Sequence, residues 1–347
     1  MNSAIPTLAI APSSLRTTIK SYLRATDVLR KRLYQHPDES YKYQAAFNKM
    51  IDSISAYFMG FEKYACKDEN VIRKMKDFFS RRLRKHFLYG TLVPWSLRKP
   101  FGYAGDFKII ESIYAGAAST TGFDRLFDQY FLNMPASVAT RNRKNDFKKI
   151  IYTFVTHKGG NVRILNIGAG PCREIKELVE EYPSEMSTVT FDCIDSDQHA
   201  VDYAKNLLAN VSSKVNLFRR NVLRLALAKD VTRQISDQYD LIYSTGLFDY
   251  LPKQTASLLL HNLTFLLKED GAIAVSNYRD KFSNPSAYLM EWVTDWRLTY
   301  RTEEIFQNLF IKAGFSKKQL SMFRESQGVM QYCIAFKLNA QRRAIQL

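Results

Sequence analysis

The stretch VRILNIGAGPCRE, from Val162 to Glu174, restricts the fold more than any other. A short apolar run ends abruptly in two glycines, Gly168 and Gly170, and a helix-like pattern follows. The run has no alternation of apolar and polar residues, so it reads as a strand covered on both faces. Glycine tolerates unusual backbone angles and lets a ligand approach the main chain closely. Downstream the same grammar repeats. TVTFDCIDSD reads as a strand and QHAVDYAKNLLANV as a helix; KVNLFRR and YDLIYST are strands, KQTASLLLHNLTFLL a helix, and GAIAVSN a strand. EEIFQNLFIKAGF is a helix, and SKKQLSMFRE with GVMQYCIAFKL forms a closing antiparallel pair. Such alternation predicts an α/β, Rossmann-like sheet of seven strands with right-handed crossovers.

The first half reads differently. Apolar residues recur at helical spacing over 13–35, 40–65 and 69–90, with further helices expected over 107–114, 124–132 and 137–156. The HKGG stretch at 157–160 reads as a linker, which predicts an all-helical domain over 1–160 and a sheet domain over 161–347. The net charge of +16 is lopsided: residues 1–160 carry +14 and residues 161–347 carry +2. A field of that sign attracts an anionic partner, or else marks a solvated helical surface. No apolar run reaches the roughly 18 residues of a bilayer span. The chain start lacks the charged region and apolar core of a signal peptide. Cys66, Cys172, Cys193 and Cys333 stand singly, so neither a zinc site nor a disulfide framework is expected and a reduced, cytoplasmic setting follows.

At a strand-to-helix turn the ligand lies outside the carboxyl ends of the strands. A dinucleotide fingerprint needs a third glycine where this chain has Arg173, which disfavours pyrophosphate. The second strand ends at Asp195 and Ser196, and a carboxylate there can accept from two ribose hydroxyls. Asp197 is open to a simpler reading as a helix cap.

With these residues in place, the run from 162 to about 338 resembles a class I S-adenosylmethionine-dependent methyltransferase. The resemblance rests on Asn166–Glu174, on Asp195 and on DLIYSTGLFDYL at 240–251. It implies that Gly168, Ala169 and Gly170 pass beneath the methionine part of S-adenosyl-L-methionine and that Asp195 holds the ribose. Asn221, where the family commonly has Asp, and Val222 flank the adenine, and Ser244 and Thr245 lie near the sulfonium. A carboxylate acceptor is ionised at pH 7 and needs no general base; the five histidines offer no evident one.

The turn KPFGYAGDF raises a second question. Gly102 and Gly105 allow a tight turn that caps a helix from Phe107 through Asp106, presents Tyr103 to a ligand, or does both. Together with YSTGLFDYLP and YLMEWVTDWRLTYRTEEI, it resembles a bacterial subfamily described as makers of 3-hydroxy fatty acid methyl esters for quorum sensing. That resemblance implies a fatty acid acceptor, and the basic first half suits its delivery by an acidic acyl carrier protein or contact with an anionic membrane surface. Tyr278, Arg297 and Arg301 are candidates to orient the acceptor's carboxylate, and Trp292 and Trp296 line its pocket or belong to the core. Arg141 and Arg143 read as a solvated helix start. Two rival readings remain: a methyltransferase acting on RNA, for which no RNA-binding module is evident, and a protein that binds the cofactor without turnover.

Overall fold

A computed structural model describes residues 13–65, 68–211 and 213–338; Cys66 lies outside them. Seven strands form one sheet: β1 (Val162–Ile167), β2 (Val189–Asp195), β3 (Lys214–Arg219), β4 (Tyr239–Ser244), β5 (Leu267–Tyr278), β6 (Leu320–Arg324) and β7 (Met330–Phe336). Their order is β3-β2-β1-β4-β5-β7-β6. The first five are parallel, whereas β7 runs antiparallel to both β5 and β6. The expected seven strands and closing antiparallel pair are therefore present. β4 and β7 are buried along their whole length and are largely apolar, with Asp240, Ser244 and Gln331 as buried polar exceptions. The β3 edge instead exposes Lys214 and Arg219, and charge on an edge discourages pairing with another chain.

In chain order the helices are α1 (Ser13–Gln35), α2 (Ser40–Gly60), α3 (Glu69–Arg82), α4 (Leu92–Arg98), α5 (Phe107–Ala115), α6 (Gly122–Asn133) and α7 (Pro135–Lys158). Between and after the strands come α8 (Arg173–Glu181), α9 (Pro183–Met186), α10 (Gln198–Leu207), α11 (Val222–Ala226), α12 (Lys253–Thr264), α13 (Ser286–Thr294) and α14 (Glu303–Lys312). Two of the long helices expected from sequence end early. After α2 the chain winds as a π turn over Phe61–Ala65, and after α3 it tightens to a 3-10 turn over Arg84–Phe87.

The chain packs as two compact units. One comprises Met1–Gly105, Ala115–Ser137 and Asn284–Arg297; the other comprises Asp106–Tyr114, Val138–Ser283 and Leu298–Leu347. The division differs from one cut at 157–160: most of α5 and α7 packs with the sheet, and α13 packs with the helices. In the helical unit the core is aromatic. Phe58 stacks on Trp292 at 4.1 Å, Phe79 meets both edge-on, and Tyr22 stacks on Phe87 at 4.6 Å. Trp292 is 1% exposed and Trp296 is buried too, so both tryptophans belong to the core. In the sheet unit, Leu165, Ile242 and Ile273 pack with Phe306 and Phe310 of α14. Among the described residues no helix is long and apolar enough to cross a membrane.

Candidate active site

The site is built from the carboxyl-terminal tips of β1, β2 and β4 and the turns that leave them. After Ile167 the backbone enters the left-handed region at Gly168 (φ 67°), Gly170 (φ 56°) and Cys172 (φ 56°). The amides of Gly168 and Ala169 both donate to the Ile194 carbonyl, at 2.9 and 3.1 Å, which ties the glycine turn to β2. A Cβ on Gly168 would lie 2.9 Å from Cβ of Leu247, whereas one on Gly170 would meet nothing within 4 Å. Gly168 is thus required by packing as well as by its angle, and Gly170 by its angle beside open space. Gly168→Ala is expected to cost about 1–3 kcal/mol of stability, from strain and overpacking. Gly170→Ala should cost less stability while placing a methyl where the turn is open. Thermal melts with and without S-adenosylhomocysteine check both, and equal losses of stability would contradict the packing argument.

Asp195 ends β2. Its Oδ2 accepts the Gly170 N–H at 2.8 Å and its Oδ1 accepts the Asp197 N–H at 2.9 Å. Burial pushes the carboxyl above the ordinary aspartate range, with those two N–H groups and that of Ser196 pulling the other way. A carboxylate oxygen has two lone-pair directions, so each keeps one for a ligand hydroxyl. Asp197 caps α10 by accepting from the His199 N–H. Ser196 is exposed.

Ser244 and Thr245 close β4. The Ser244 hydroxyl donates to the Ile167 carbonyl at 2.8 Å, binding the β4 tip to the β1 tip, and the Thr245 carbonyl accepts from Ser276. Asn221 is exposed and caps α11, with Oδ1 accepting the Leu223 N–H at 2.9 Å and keeping a second lone pair. Val222 is buried in the core beneath it.

Sequence reasoning missed several residues that the sheet unit gathers here. Asn166, at the end of β1, donates to buried Glu174 at 3.1 Å, while its own Oδ1 is buried without a hydrogen-bond partner. Glu174 also accepts from the Tyr243 hydroxyl, and burial pushes its carboxyl pKa up. Arg143 of α7 is not solvated but 5% exposed, 3.5 Å from Asp249 and 3.3 Å from where a Cβ on Gly246 would stand. A glycine is what lets that guanidinium lie against the β4 turn. The run RNRKND gave no sign of this, because charges on a buried face look like charges on an exposed one.

The acceptor candidates fare unevenly. Tyr278, at the end of β5, is buried, its hydroxyl lies 3.3 Å from Thr140 Oγ1, and burial raises its pKa. Arg301 is 2% exposed, and its guanidinium donates to the carbonyls of Phe248 and Leu251 and to Asn277 Oδ1. Those bonds make Arg301 a brace for the turn after β4 rather than a free clamp for a carboxylate. Arg297 is exposed and pairs with Asp295 at 2.9 Å, a surface ion pair. Tyr103 is half-buried in the GYAGD turn. Asp106 is fully buried and caps α5, accepting from the amides of Lys108 and Ile109 at 3.0 and 2.9 Å. The Arg173 side chain, standing where a dinucleotide fingerprint has glycine, bonds Glu111 of α5, which also accepts from Tyr203 of α10 at 2.8 Å. His261 packs against Phe265 and bonds the Ala313 carbonyl, so it holds structure.

The sheet order, the reversed seventh strand and the glycine turn facing an acid on the next strand define the class I methyltransferase fold. Among solved structures the chain is similar to one described as a possible exported protein from Bordetella parapertussis, with 20% identity, a TM-score of 0.54, and coverage of 67% of this chain and 79% of that one. It is more loosely similar to magnesium protoporphyrin IX methyltransferase from Synechocystis with bound SAM, with 13% identity, a TM-score of 0.41, and coverage of 59% and 84%. A plantazolicin methyltransferase in complex with SAH shares 13% identity at a TM-score of 0.44, over 76% of this chain and 98% of that one. Neither a protein-family model nor a curated protein matches the chain.

Proposed function

We propose that this chain is an S-adenosylmethionine-dependent methyltransferase that O-methylates the carboxylate of an apolar acid, a 3-hydroxy fatty acid in the most specific form of the reading. The observation that carries it is the pairing of the glycine turn with Asp195, whose carboxylate is oriented by the Gly170 and Asp197 amides and keeps accepting capacity on both oxygens. When bound, the cofactor supplies a methyl group already activated on sulfur. Gly168–Gly170 give it backbone to lie against, Asp195 takes its ribose hydroxyls, and the orphaned Asn166 Oδ1 offers an acceptor beside the turn. The residues present therefore fit the cofactor. What remains for the protein is to hold the acceptor oxygen in line and keep water out. Buried Tyr278, in the sheet unit, is the group we assign to the acceptor. The free, buried thiols of Cys172, Cys193 and Cys333 suit a reducing compartment such as the cytoplasm.

The test has two stages. Titration with S-adenosylhomocysteine should show a single site, and labelled cofactor should then transfer methyl to a panel of 3-hydroxy fatty acids, giving base-labile esters. Tyr278→Phe should lower turnover more than melting temperature. Binding with no transfer to any acid, RNA or small acceptor would favour the rival reading of a cofactor-binding regulator.

A further inference from the structure

Helix α3 has two electrostatic faces. Inward, Met75 and Phe79 are buried, and Lys76 meets two carboxylates, Glu62 at 2.9 Å and Glu291 at 2.7 Å. Outward, Arg73, Lys74, Arg81 and Arg82 are exposed, and Lys85 in the next turn joins them. Among the described residues the only ion pairs of α3 are those of Lys76. So the helical unit neutralises the cation it turns inward and leaves the outward ones without a carboxylate partner, Arg73 bonding only the Asn70 amide oxygen. The helix dipole explains part of this, since cations in a last turn are favoured, as for Arg81 and Arg82. It does not explain Arg73 and Lys74 in the first half of the helix. The exposed acids here are Asp68 at the N-cap, Glu69 in the first turn and Asp77, and Glu69 and Asp77 form no ion pair among the described residues.

The same stretch exposes apolar groups. Val71 on α3 is 43% exposed, and Tyr64 in the preceding π turn is 72% exposed with the Lys63 ammonium 5.0 Å from its ring centre. Bare cations mixed with exposed aliphatic and aromatic side chains are the composition of a surface that rests in a headgroup layer. At 3.6 residues per turn and 1.5 Å per residue, Lys74 and Arg81 stand nearly in line about 10 Å apart, and Arg73 and Arg82 flank that line on opposite sides.

We propose that the outward face of α3 docks this protein on an anionic lipid surface. The docking gives the proposed acceptor a source, since a long-chain acid partitions into lipid, and to that extent it rests on the methyltransferase reading. The binding itself needs neither cofactor nor turnover.

Full-length protein is mixed with phosphatidylcholine vesicles, with or without about 30% phosphatidylserine, and separated by flotation. Each cation at an anionic surface contributes about a fivefold factor. Wild type is expected to favour the anionic vesicles at least about tenfold and to release in high salt. Arg81→Glu combined with Arg82→Glu should lose at least about tenfold in partition, with unchanged melting and unchanged S-adenosylhomocysteine binding. Equal partition to both vesicles overturns the proposal, as does a double variant that binds like wild type. Retention on polyglutamate or RNA with neither vesicle bound also overturns it and assigns the face to an acidic macromolecule. Vesicle binding by a protein that fails to bind S-adenosylhomocysteine would sink the methyltransferase reading alone.

Discussion

Asp195→Asn is expected to weaken S-adenosylhomocysteine binding about 100-fold while the sheet stays folded. Hydrogen bonds to a charged group contribute about 1.5–3 kcal/mol each, and about 1.4 kcal/mol is a factor of ten. An amide has one accepting oxygen where the carboxylate has two, and both carboxylate oxygens already serve the Gly170 and Asp197 amides. In the variant an NH2 must face one of those N–H donors, so the turn shifts as well as the ribose contact. Calorimetric titration reads the affinity, and an unchanged value would move the cofactor elsewhere. The same carboxyl sets a pH dependence. Burial raises its pKa, and only the ionised form accepts two hydroxyls, so wild-type affinity should fall as acid protonates it while that of the variant stays flat. For folding the sign is reversed. A carboxyl whose folded pKa exceeds its unfolded value favours the folded state when protonated, and that contribution is lost as pH rises from the unfolded pKa through the folded one.

Arg301→Ala is expected to lower unfolding free energy by about 3–5 kcal/mol, a loss typical of breaking a buried charged network. The guanidinium serves the Phe248 and Leu251 carbonyls and Asn277 Oδ1, and each buried acceptor left bare costs about 1–3 kcal/mol. Burial lowers the Arg301 pKa, so removing the charge returns some desolvation energy, with nearby Asp249 opposing. The unsatisfied oxygens outweigh that gain, because the native guanidinium is so fully bonded. Urea unfolding checks the size. Arg301→Lys keeps the charge but not the fork, and should fall between the two. A variant of wild-type stability that had lost only acceptor turnover would restore Arg301 to the substrate.

The sheet was legible because parallel strands covered on both faces must be continuously apolar, as in LIYS of β4, and because Gly168 and Gly170 punctuate β1. Asp106 was legible too, since a buried cap has the same sequence signature as an exposed one. The fate of the cations was not. On α7, Arg143, Lys144 and Lys148 are buried, facing Asp249, Glu177 and Glu181, and no periodicity separates such a face from a wet one. The two-unit division was equally hidden. It follows from where Trp292 finds Phe58 and Phe79, contacts that each pair residues more than 200 positions apart.

Glu111 grips Arg173 at the start of α8 and Tyr203 within α10, so one carboxylate spans the helices that follow the first two strands. It works as a calliper. The helices behind the glycine turn and behind the second-strand tip are thereby held to one spacing by a single side chain.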